Sequence, residues 1–321
     1  MNQVEKIDEQ KSAKNKKIKE FIERNSLYLF LIPALLLVFV FSYLPMLGTV
    51  IAFKDYQIFA GKNPIDAIFQ SKWVGFEHFN KIFSNPEFGR ALKNTLIISI
   101  YKIVFLFPIP IIIAIMITDM KSAWYKKTIQ TVIYLPHFLS WIVVTSIFIQ
   151  ILGPYGLINN WLKGVGLTSK SIAFFGNNAF FRSLTVVSAG WKEVGWNAII
   201  YIAAITGINP QLYEAAKIDG ATKMQQAINI TIPSITGTIV LLFILRIGAI
   251  LDAGFDQIFN MYSYAVYEKG DILSTLVYRL GLESQQYSFA TAVGLFNSVV
   301  ALILVLGGNF ITRKTMDKGL W

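Results

Sequence analysis

Six apolar runs dominate the chain, near Leu27–Ala52, Leu92–Ile117, Thr128–Leu152, Ser183–Thr206, Ile235–Leu251 and Phe289–Ile311. Each is long enough to cross a bilayer core of roughly 30 Å, which takes about 20 helical residues. The expected fold is therefore all-α and polytopic, with about six transmembrane helices. Pro33, Pro45, Pro108, Pro110 and Pro136 fall inside these runs and predict kinks, which neighbouring helices tolerate. With 54% hydrophobic and 15% charged residues, the 321-residue chain is too apolar for a soluble domain of that length.

Charge sets the expected orientation. The N-terminal tail, the loop at 119–127, the segment at 209–233 and the end from Arg313 are short and together basic. The loops at 54–90, 153–182 and 253–287 are long and weakly charged. Basic short loops stay on the cytoplasmic side, so both termini are expected inside. The formal net charge of +10 then reflects cytoplasmic loops beside anionic lipid, and no nucleic-acid partner is expected. Residues 1–26 read as a lysine-rich cytoplasmic tail, with a surface helix near Ile18–Ile22 and no cleavage site behind the first run. The membrane-spanning body is expected over 27–311, and 312–321 as a second cytoplasmic tail.

Chemistry of its own is not expected of this chain. It has no cysteine, so disulfides, thiolate metal sites and cysteine nucleophiles are excluded. Phosphate-cradling, zinc-protease and serine-hydrolase motifs are missing from it as well. His137, beside Pro136 within the third run, is expected to bond carbonyls freed by the kink. His78 is expected to be solvated or packed beside Trp73.

The stretch Asn209–Pro233, NPQLYEAAKIDGATKMQQAINITIP, lies between the fourth and fifth runs and is too polar to span. Asn209 suits an N-cap and Pro210 the first helical turn. Gly220 suits the left-handed residue that ends the helix, and Thr222 caps a second helix through about Asn229, with Pro233 at the entry to the next run. Helix, turn, helix on the membrane surface is the expectation, with Ala215 and Ala216 as a nearly bare face and Glu214 at its edge, suited to a partner's groove.

Glu214, Ala215 and Ala216, then Gly220 four positions later, then Ile230, Ile232 and Pro233, resemble the EAA loop of ATP-binding-cassette importer permeases; Ile232 replaces the usual leucine. EAAKIDGAT is similar to the carbohydrate-uptake branch. YLPMLGTVIAFKDY at 43–56, WVGFEHF at 73–79 and the ending GLW at 319–321 are similar to the LplB-like group of polysaccharide and oligosaccharide permeases. The resemblance implies a type I importer permease with a MetI-like core, multi-pass in a bacterial inner membrane. Its implied partners are a second, homologous permease subunit, two cytoplasmic ATPase subunits that use ATP and Mg, an extracellular solute-binding protein and an oligosaccharide. On that reading Glu214, Ala215, Ala216, Asp219 and Gly220 are the ATPase-docking positions, and the chain itself binds no cofactor or metal. An ion-coupled secondary transporter, or an importer of a non-sugar solute, is the alternative.

Charged and amide groups at membrane depth are costly and usually face a cavity or one another. Glu193, Asn197 and Tyr201 recur at spacing four and so share one helix face, flanked by Trp191 and Trp196. With Lys102 and Arg246 they form the candidate substrate cavity, since hydroxyls take hydrogen bonds while the apolar face of a sugar lies on a ring. Helix-to-helix pairing of these charges, with Lys192 among the cations, is the competing expectation. The tyrosines at 262, 264, 267, 278 and 287 are expected to be interfacial anchors.

Overall fold

A computed structural model describes residues 26–316, so the expected surface helix near Ile18–Ile22 and the GLW ending lie outside the described residues. The chain starts with α1 (Ser26–Val38), which runs on through a wide π turn at Phe39–Tyr43 to a 3-10 turn at Leu47–Phe53. A two-strand ribbon, β1 (Lys54–Asp55) with β2 (Lys72–Trp73), encloses α2 (Pro64–Gln70) and leads to α3 (Glu77–Ser84). The second span is α4 (Pro86–Leu106) followed by α5 (Pro108–Thr118), and the third is α6 (Ala123–Tyr134) and α7 (Trp141–Leu152), separated by a 3-10 turn at Leu135–Phe138. After α8 (Leu157–Gly164) come α9 (Asn178–Thr206), α10 (Pro210–Ile218), α11 (Lys223–Gln226) and α12 (Ile232–Gly248). Short helices α13 (Phe255–Met261), α14 (Tyr267–Gly270) and α15 (Leu273–Tyr278) precede the last span, α16 (Tyr287–Met316).

Five helical stretches among the described residues are long and apolar enough to cross a membrane: Phe30–Phe53, Pro86–Thr118, Trp141–Gly164, Lys223–Gly248 and Tyr287–Lys314. The fourth expected span, α9, has the length, 29 residues, but carries Lys192 and Glu193 at its middle. It can carry them because it is the central helix, packed against α4, α5, α6 and α12. Small residues on its buried face, Ser188, Ala189, Gly195 and Ala198, let those neighbours approach closely, which drives helix association where water does not.

Prolines act locally as expected from their missing amide. The π turns at Phe39–Tyr43 and Ala227–Thr231 each lie just before a proline, Pro45 and Pro233, and widen the helix where a carbonyl loses its donor. Pro108 sits at the bend between α4 and α5, while Pro33 lies inside an unbroken helix.

Several expectations are corrected. Pro233 does not interrupt the chain: α11, the π turn and α12 are one helical stretch from Lys223 to Gly248, so only α10 stands as a separate short helix. The segment from 253 to 287, read from the sequence as a long loop, folds back into the bundle. Its Ile258, Met261, Val266 and Ile272 pack with Ile98 of α4 and Phe181 and Leu184 of α9 in one buried cluster. Its tyrosines join an aromatic chain, Tyr262 stacking on Tyr267 at 4.9 Å and Phe259 meeting Tyr278 at 4.8 Å. His78 is buried, with Nε2 3.1 Å from the Lys54 carbonyl. The last helix runs on to Met316, taking in the start of the expected tail at 312–321.

Candidate transport site: a cavity on the central helix and a short exposed helix

Lys102 lies midway along the Pro86–Thr118 stretch and Glu193 midway along α9, so the two charges face each other at the depth of the span centres. Between them is a cavity of about 460 Å³, lined by Lys102, Glu193, Asn197, Tyr201 and Arg246 among the expected residues. Spacing four along α9 does put Glu193, Asn197 and Tyr201 on one wall. Trp191 and Trp196 do not line it: Trp191 meets Phe148 edge-on, and Trp196 stacks flat on His137 at 4.3 Å. The indole that lines the cavity is Trp141, at the start of α7, with the Lys192 ammonium 5.6 Å from its ring.

Each charge but one has a local partner. Lys102 Nζ donates to the Ala253 carbonyl at 2.7 Å and to Gln257 Oε1 at 2.5 Å, and Gln257 Nε2 donates to the Thr185 carbonyl and Ser188 Oγ at 2.7 and 2.8 Å. Segment 249–257 therefore turns back into the bundle. Gly254, at φ +93°, makes the turn, and a Cβ there would stand 3.1 Å from Lys102 Nζ. Asp252 Oδ1 accepts the Gly254 amide at 3.0 Å. Glu193 lies 3.0 Å from His137 Nδ1 and 3.7 Å from Lys192, while Lys192 donates to the His137 carbonyl at 2.5 Å. His137 thus keeps its place at the proline turn by its ring bonding a carboxylate; it is Lys192 that takes up the freed carbonyl. Arg246 and Asn197 make no hydrogen bond or ion pair with another described residue.

Asp252, Gln257 and Trp141 were not singled out by the sequence. No local periodicity points to them, because their partners on α4 and α9 are distant in the chain.

At the end of the bundle that carries residues 119–122, the residues at 209–233 build a second feature. Asn209 Oδ1 accepts the Gln211 amide at 3.0 Å, and Thr222 forms a capping box with Gln225. Gly220 has φ +77°, the left-handed value. Tyr213 and Lys217 face the body, where Tyr213 Oη meets Thr231 Oγ1 at 2.9 Å and Lys223 pairs with Asp119. The opposite face of α10 exposes Leu212 (49%) and Ile218 (87%) with Ala215 between and Glu214 beside them. Asp219 is exposed at the C-cap. Ala216 is half-buried, so the exposed apolar face is Leu212, Ala215 and Ile218 and not the Ala215–Ala216 pair the sequence suggests.

Residues 106–314 match the family described as "Binding-protein-dependent transport system inner membrane component". The chain is 43% identical over 296 residues to "Protein LplB" of Bacillus subtilis (strain 168), covering 92% of this chain and 91% of that one. It is 40% identical over 319 residues to "Polygalacturonan/rhamnogalacturonan transport system permease protein YteP" of the same organism, covering 99% and 97%. Among solved structures, a chain of a bacterial ABC transporter involved in the import of the acidic polysaccharide alginate superposes with a TM-score of 0.83 at 40% identity, covering 94% of this chain and 99% of that one. The same values hold for the alginate transporter in complex with alginate pentasaccharide-bound periplasmic protein.

Proposed function

Because the chain belongs to the family of binding-protein-dependent transport system inner membrane components, and so is the non-catalytic, multi-pass membrane component of an ABC importer, we propose that its cargo is an oligosaccharide derived from a polysaccharide. The membrane is the inner membrane of a bacterium, with both termini and α10 on the cytoplasmic side. A second, homologous permease subunit completes the pathway, two cytoplasmic ATPase subunits supply ATP and Mg chemistry, and an external binding protein delivers the sugar. Residues 27–311 are the permease body. Within 209–233, Glu214, Ala215, Ala216, Asp219 and Gly220 are the docking positions, with Leu212 and Ile218 added.

The observation that carries this reading is the exposed face of α10. A helix of nine residues, fixed to the body by Tyr213 and by the Asp119–Lys223 pair at the start of α11, presents leucine, alanine and isoleucine uncovered by any other described residue. Such a face suits a partner's groove, and its anchoring on α5 and α12 lets a push on α10 tilt the spans around the cavity. Replacing Gly220 by valine tests it, because a β-branched side chain at φ +77° costs on the order of 1–2 kcal/mol and nothing crowds the site otherwise. The variant should insert normally, while co-purification with the ATPase subunits and uptake fall together. Uptake at the wild-type rate would show that this turn does not set the docking geometry.

The cavity has its own test. Asn197→Leu removes an amide that bonds to no other described residue, so no buried partner among them is orphaned. The assembled importer should keep its basal ATPase, and sugar uptake should fall roughly ten-fold, the worth of a hydrogen bond or two. Unchanged uptake would leave the Glu193, Asn197 and Tyr201 wall as helix packing.

A further inference from the structure

Arg246 stands in the last turn of α12 with its side chain on the cavity. Four charged residues line that cavity: Lys102, Arg246, Glu193 and Asp252. Three of them are committed. Lys102 is held by the Ala253 carbonyl and Gln257, Glu193 by His137 and Lys192, and Asp252 by the Gly254 amide. Arg246 touches neither acid and makes no hydrogen bond with a described residue. Its side chain is exposed on the cavity, so its planar fork of N–H donors is open to a ligand and matches a carboxylate with two parallel bonds, while Asp252 and Glu193 act on it only across the cavity. The same cavity is lined by Asn197, Tyr201 and Trp141, the Asn197 amide making no hydrogen bond with another described residue. Amide and phenol suit hydroxyls, and the indole suits the C–H face of a pyranose.

Granted the importer reading above, we infer that the cavity is a subsite for an acidic sugar residue, a uronate, whose carboxylate is bound by Arg246. The guanidinium selects for charge, and Asn197 with Tyr201 orients the ring. Glu193 and Asp252 still leave room for a further anion, because the two carboxylates face three cations, Lys102, Lys192 and Arg246, with Glu193 paired to Lys192. A neutral hexose leaves the Arg246 fork with no carboxylate to bond directly, so the site discriminates by the loss of two charge-assisted bonds.

The test is equilibrium binding to the complete transporter in nanodiscs, permease pair with ATPase subunits and without the binding protein. The probes are a uronate tetrasaccharide and the same tetrasaccharide with its carboxyl groups reduced to primary alcohols. Wild type should bind the acidic probe at least about ten-fold more tightly, as expected for hydrogen bonds to a charged group. Arg246→Gln should erase that difference by weakening the acidic probe alone, roughly 10- to 100-fold. Arg246→Lys, which keeps the charge but loses the fork, should fall between them and stands in if the glutamine variant does not assemble. Equal binding of both probes by wild type, binding of neither, or an Arg246→Gln or Arg246→Lys complex that binds the acidic probe as wild type does, overturns the inference. So does an equal loss for both probes, which marks a structural role. Uptake of either sugar with the binding protein added reports on the importer reading separately: uptake without discrimination by the cavity sinks only the carboxylate subsite, whereas a wild-type complex that imports no saccharide sinks the importer reading.

Discussion

Replacing Asp271 by alanine is expected to destabilise the protein by about 3–5 kcal/mol, the range for removing one partner of a buried ion pair. The side chain is fully buried and is the hub of a network. Arg279 grips it with two bonds, Nη1 to Oδ1 at 3.1 Å and Nη2 to Oδ2 at 2.9 Å, and Thr275 adds a third at 2.8 Å. Arg279 also reaches Glu87 at 3.0 Å, at the start of α4, and lies over the Tyr267 ring. Burial alone lowers the basicity of the Arg279 guanidinium, but the bonds to Asp271 and Glu87 outweigh it and hold that basicity above its ordinary value. Asn94 of α4 donates to the Asp271 carbonyl at 2.9 Å and accepts from Arg182 of α9 at 2.7 Å, so the hub latches segment 262–283 to two spans at once. Thermal unfolding of the detergent-solubilised protein should show the loss. Asp271→Leu combined with Arg279→Met should recover part of it, because no cation is then left buried and Tyr267 keeps an apolar neighbour. A single variant that melts with wild type would mean that the apolar cluster beneath holds this segment without the latch.

Gly195→Ala is expected to be as damaging, for a steric reason. An added Cβ at position 195 would lie 2.1 Å from the Ile133 carbonyl oxygen, and that atom is backbone, which cannot rotate away. The α9 and α6 axes must separate, at a cost of about 3 kcal/mol or more, the upper end for overpacking. Separation also moves Glu193 away from His137, so the cavity wall shifts with it. Gly190→Ala is the control. Its Cβ would meet the Leu106 Cδ2 at 3.0 Å, the end of a side chain that can turn, and should cost under about 1 kcal/mol. Equal folded yields for the two variants would show that the α6 contact is not the tight one.

Much of this protein is legible before any coordinates. A helix must be apolar over about 20 residues to cross, so the spans announce themselves, except where α9 trades hydropathy for charge because its neighbours shield it. Local rules were equally readable. Asn209, Pro210, Gly220 and Thr222 end and start helices through contacts within four residues, and Glu193, Asn197 and Tyr201 share a wall by helical period alone. What packing decided is everything that joins distant parts. Lys102 meets Gln257 across 155 positions and Arg279 meets Glu87 across 192, and neither pairing leaves a local trace. Trp191 and Trp196 flank the wall in sequence, yet one turns to Phe148 and the other to His137, because the rotation of α9 about its axis is set by Gly195 against Ile133. In a membrane the lipid-facing and protein-facing sides of a helix are both apolar, so hydrophobicity, which tells inside from outside in a soluble protein, cannot set that rotation; close backbone contacts and buried polar pairs do.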